Sequence, residues 1–102
     1  MTNDQSDVRN EAFLVGTTSV LVSQRRDDAS DLRKVFLFRN NSPNVADIIT
    51  IHLGGSVAIP GEGIILDKGQ SYFEDNNSGD VWKGKIQAIC ATANGVLAIM
   101  ER

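Results

Sequence analysis

Apolar positions in this chain come in short runs, many of them alternating with polar ones, and turn-forming residues separate the runs. Side chains on a strand point to opposite faces with a period of two, so this pattern predicts strands. Phe13–Val15 and Thr18–Ser23 open the series. Lys34–Arg39 (KVFLFR) follows the charged segment QRRDDASD, and its unbroken VFLF predicts burial on both faces of a central strand, or cover by a neighbouring subunit. In Ile48–Leu53, Ile49, Ile51 and Leu53 share one face, while Ile48, Thr50 and His52 share the other. Gly63–Asp67 and QSYFED at 70–75 come next, set off by the turns PGEG at 60–63 and Asp67-Lys68-Gly69. The last two segments, KIQAICAT and VLAIME, flank Asn94-Gly95, a pair suited to a type I′ hairpin tip.

About eight short strands with no sustained helical period predict an all-β fold, a small antiparallel β-sandwich of jelly-roll-like build. Residues 1–11 are polar and aperiodic, which predicts a flexible N-terminal arm ahead of a single domain at 12–102. At 102 residues the chain supports one modest core, with stability that gains from any partner covering more apolar surface.

Charge and cysteine usage narrow the function. A net charge of −3 opposes non-specific attraction to nucleic acid or to anionic membranes. Arg25, Arg26, Arg33, Lys34 and Arg39 cluster in sequence, but Asp27, Asp28 and Asp31 lie among them, so a solvated loop of mixed charge is expected. The single cysteine, Cys90, sits in an apolar run and reads as a small buried hydrophobe, in keeping with folding in a reducing cytoplasm. The N-terminal residues lack the apolar stretch of a signal peptide, and no run is long enough to span a membrane.

Candidate chemistry is sparse. The one histidine, His52, is expected half-exposed on a strand, without the companion ligands a metal site requires. Neighbouring acids such as Glu74-Asp75 and Asp27-Asp28 would point to opposite faces of a strand, whereas glycosidase chemistry needs two carboxyls in one cleft. Gly54, Gly55, Gly61 and Gly63 match no phosphate-loop spacing. The chain is therefore expected to be no enzyme and to use no cofactor or metal. Candidate partner contacts are Asn40 and Asn41 in the loop after KVFLFR, and Trp82, since tryptophan is favoured at interface hot spots.

From residue 17 onward, TTSV, KVFLFRNNS, ITIHLGG, IPGEGIILDKGQSYFED and WKGKIQAICATANGVLAIME together resemble a family of small bacteriophage structural proteins. The resemblance implies a capsid decoration (cement) protein, commonly a homotrimer, that adheres to the major capsid protein or another virion protein after assembly in the host bacterial cytoplasm. No catalytic residue carries over from such a family. A phage tail or fibre component, or a small β-sandwich module binding carbohydrate or protein, is the alternative expectation.

Overall fold

The computed structural model describes residues 9–23, 33–75 and 81–102. They form eight strands: β1 (Arg9–Val15), β2 (Val20–Ser23), β3 (Val35–Asn40), β4 (Ile49–Leu53), β5 (Ile64–Leu66), β6 (Ser71–Asp75), β7 (Ile86–Cys90) and β8 (Gly95–Glu101). Two four-stranded antiparallel sheets result, in the orders β1-β8-β3-β6 and β2-β7-β4-β5. The all-β sandwich expected from the sequence is therefore present.

Strands pair from the chain's ends inward: β1 with β8, β2 with β7, β3 with β6 and β4 with β5. The pairs β3–β8 and β4–β7 then stitch this ribbon into its two sheets. Only the β4–β5 connection stays within one sheet; every other connection crosses the sandwich.

The core is built by alternation. Val15, Phe36, Phe38, Leu97 and Ile99 face inward from the first sheet, and Val22, Ile49, Ile51, Leu66, Ile86, Ala88 and Cys90 meet them from the second. Phe36 and Phe38 stack with ring centroids 5.0 Å apart, and Tyr72 packs 5.9 Å from Phe36. Fully burying a side chain of this size is worth about 1.5–3 kcal/mol, so these positions carry most of the gain from folding.

Several expectations change. Strand β1 begins at Arg9, so residues 9–11, assigned to the arm, are paired to β8 through Arg9↔Glu101, Asn10↔Met100 and Glu11↔Ile99. Residues 1–8 lie outside the described residues, as do the charged segment at 24–32 and the loop 76–80. Asn94-Gly95 is not a hairpin tip, because β7 and β8 belong to different sheets. Neither residue takes a positive φ. Gly95 is needed for a different reason: a Cβ there would lie 2.4 Å from the Val15 carbonyl oxygen and 2.8 Å from the Cys90 Cβ.

The two outer faces differ. On the second sheet, Thr50 points away from the core yet is only 2% exposed. The long β4–β5 connection folds back over it, where the Gly61 amide donates to Thr50 Oγ1 at 3.0 Å. The same connection reaches across the sheet to the start of β2, where the Ala58 amide donates to Ser19 Oγ at 2.8 Å. On the first sheet, Phe36 and Phe38 are fully buried, whereas Val35 and Leu37 on the opposite face are only half-buried. The continuous VFLF run is thus buried on one face of this chain, and no described element covers the other.

Candidate interaction surface

The titratable groups inside the sandwich are engaged in structure. Glu101, which ends β8, is 2% exposed. Its Oε2 accepts from Arg33 Nε at 3.0 Å and from Ser23 Oγ at 2.8 Å, and its Oε1 accepts from Arg9 Nη1 at 2.7 Å. Arg33 is fully buried; its Nη1 donates to the carbonyls of Trp82 and Gly84 at 2.6 and 3.1 Å, and its Nη2 to Ser23 Oγ at 2.6 Å. Its guanidinium also sits 5.7 Å from the centre of the Phe36 ring.

Arg33 was expected in a solvated loop of mixed charge. It forms instead the centre of a buried clasp joining β1, β2, β8 and the segment before β7. The local cause lies partly in β2, whose register with β7 slips between Leu21 and Ser23. A bulge turns consecutive residues to the same side, and Val22 and Ser23 are both buried. Burial pushes the Glu101 carboxyl up, but hydrogen bonds from Arg9 and Ser23 and the charges of Arg33 and Arg9 outweigh it and hold the group below the ordinary carboxylate value. A carboxylate so held stays ionised and is poorly suited to proton transfer.

The other acid pair separates as alternation requires. Glu74 lies opposite Phe36 on the inner face, and Asp75 opposite Val35 on the outer one. Glu74 accepts from the Tyr72 hydroxyl and, at 2.9 Å, from the Trp82 amide. Hydrogen bonding to Glu74, with smaller contributions from burial and the carboxylate charge, raises the Tyr72 phenol to about 12. His52 is half-buried, and Cys90 is 1% exposed with Sγ 3.8 Å from Thr92 Oγ1. Among the described residues no group of three or more His, Cys, Asp or Glu is placed to hold a metal ion, and no helix is long and apolar enough to cross a membrane.

Of the three candidate contact residues, Asn40 does not face outward. It is fully buried, its Nδ2 donating to the carbonyls of Asp47 and Leu66 at 2.7 and 2.8 Å while its Oδ1 accepts from the Ser42 amide at 3.0 Å. It holds the loop at 41–48 in place and cannot touch a partner. Asn41, next to it, is exposed and accepts from Arg39 Nε at 3.0 Å. The loop's shape is completed by Asp47, which accepts from the Asn44 amide at 3.0 Å and from the Thr92 hydroxyl, leaving Val45 81% exposed at its tip. Trp82 is 38% exposed, with its indole Nε1 donating to the Lys85 carbonyl at 3.0 Å. Asn41 follows the end of β3, whereas Trp82 binds the Arg33 clasp beside the start of that strand, so the two sit at opposite ends of the sandwich.

One open apolar surface among the described residues is not marked by any single residue of the sequence. The pairing places Asn10, Met100, Leu37 and Phe73 in one row across the outer face of the first sheet, with Ala12, Ala98, Arg39 and Ser71 in the next. Leu14 and Val96 extend it beyond the second row. Leu14 is 84% and Phe73 51% exposed, and a shallow groove runs between Ala12, Leu37, Arg39, Ala98 and Met100. The signal was the half of VFLF that the core does not use, together with alternate residues of VLAIME.

No protein-family model, no curated protein and no solved structure matches this chain.

Proposed function

We propose that this chain is a non-enzymatic structural protein of a bacteriophage virion, a decoration protein that binds the outer surface of the head as a homotrimer. The observation that carries the reading is the contrast between the two outer faces: residues 54–63 fold over one sheet, whereas among the described residues none folds over the outer face of the other, where Leu14 and Phe73 are exposed. Exposed apolar patches of this kind mark contact surfaces on small proteins. The ionisable groups support the same direction, since Glu101, Arg33 and Glu74 are consumed by internal hydrogen bonds.

The inward pairing of the strands supports a jelly-roll reading of the sandwich, an architecture found in viral capsid proteins. The major capsid protein is the proposed partner, met by the rigid loop that carries Asn41 and Val45 or by the end that carries Trp82. The test is co-sedimentation of purified protein with capsid shells of the encoding virus assembled without it. Saturable binding at a fixed number of copies per shell supports the reading, and absence of binding at micromolar concentration overturns it.

A second reading rests on the groove bounded by Ala12, Leu37, Arg39, Ala98 and Met100. An apolar floor with Arg39 and Glu11 also in its lining suits a small binding module that takes an apolar side chain of a protein ligand.

A further inference from the structure

We propose that the outer face of the β1-β8-β3-β6 sheet is the contact between copies of this chain, which leaves the two ends of the sandwich free for the shell. The proposal rests on the homo-oligomeric reading above and names the surface that reading needs.

The choice of a second copy as occupant follows from charge and area. The chain carries a net charge of −3, so copies repel one another unless they meet through nearly neutral surfaces. Across this face the strand positions carry one cation, Arg39 on β3, and one anion, Asp75 on β6. Their charges cancel, so the strand positions of this face carry no net charge. A face that is apolar, neutral and bears one group of each sign is complementary to itself, as a contact between identical chains requires. A partner recognised by charge would find little to read here.

Strands about 4.8 Å apart, with outward residues repeating every ~6.8 Å, make this face roughly 14 by 20 Å in projection. A standard interface covers about 800 Å² per partner, so the flat face alone falls short and the contact must extend past it. Strand β1 supplies that extension. It is an edge strand of seven residues with no bulge in its pairing and no proline, and it carries Leu14 at 84% exposure beside its free side. The other edges are blunted: β5 has three residues, β2 has four with a slipped register, and β6 ends in Glu74-Asp75.

Leu14→Glu and Phe73→Glu test the assignment, because both side chains are more than half exposed and a charge there leaves the isolated domain folded. Val57→Glu, on the loop over the other sheet and 67% exposed, is the control. Sedimentation velocity across a micromolar concentration series is the readout, with circular dichroism confirming the fold. Both face variants should weaken self-association by roughly 100-fold, since a carboxylate buried without a partner in the contact is strongly disfavoured. The control should keep the wild-type mass. Wild-type mass in both face variants, or dissociation of the Val57 variant instead, overturns the assignment while leaving the oligomer intact. A wild-type chain that is monomeric throughout overturns it as well, and the decoration reading then stands or falls on shell co-sedimentation alone.

Discussion

Arg33 donates from Nε to Glu101 Oε2 at 3.0 Å, and neither side chain is more than 2% exposed. The pair joins the residue that leads into β3 to the last residue of β8, so it ties a buried cation to the closing strand of the first sheet. Removing one partner strands the other as an uncompensated buried charge, which typically costs 3–5 kcal/mol. Arg33→Met is therefore expected to lower the unfolding free energy by about 3–5 kcal/mol in urea titrations. Arg9→Met, whose side chain is 25% exposed, should cost distinctly less.

The clasp also sets an acid limit. Glu101 has its carboxyl held below its ordinary value of 4.5 in the folded chain. Its contribution is fully present above that value and is lost as pH falls through the lower folded one. Thermal melts between neutral pH and about pH 5 should change little on this account, with destabilisation setting in below the ordinary value. In Glu101→Gln the overall stability drops, and the acid-side loss becomes shallower than in the wild type.

Tyr72, on β6, gives a separate spectroscopic check. It is the only tyrosine, and its hydrogen bond to Glu74 raises the phenol from 10.0 to about 12. Because the folded value is the higher one, the stability it contributes is present below the unfolded value and is lost as pH rises between the two. Absorbance titration of the folded protein should place tyrosinate formation near pH 12. Glu74→Gln should move it back toward the ordinary value.

Much of the fold was legible in the residues. The alternation in Ile49–Leu53 put Ile49 and Ile51 in the core, and Asp67-Lys68-Gly69 formed its turn, with Gly69 at φ 84 and the Gln70 amide donating to the Asp67 carbonyl at 2.9 Å. What failed was long-range. Nothing near Arg33 signals burial, since its counter-charge is 68 positions away. Asn94-Gly95 carries a hairpin signature, but turn propensity cannot report that its flanking strands join different sheets. The same blindness made Asn40 read as a surface residue: its partners Asp47 and Leu66 come from a loop and from a different strand.

Asn40 and Asn41 therefore separate a structural role from a contact role. Asn40→Ala leaves two buried carbonyls and an amide without their partner, at a cost of about 1–3 kcal/mol in unfolding free energy. Asn41→Ala should leave stability within about 0.5 kcal/mol of wild type, as for surface changes generally. Shell binding, measured by co-sedimentation, should respond to Asn41 if its loop is the attachment point.

The central claim is that this domain works as an assembly of copies whose open sheet face is covered by a neighbour. Multi-angle light scattering on the purified chain at micromolar concentration tests it most directly. A mass of about three times the 11.1 kDa of one chain is the expected result. A mass equal to one chain, unchanged on concentration, would contradict it.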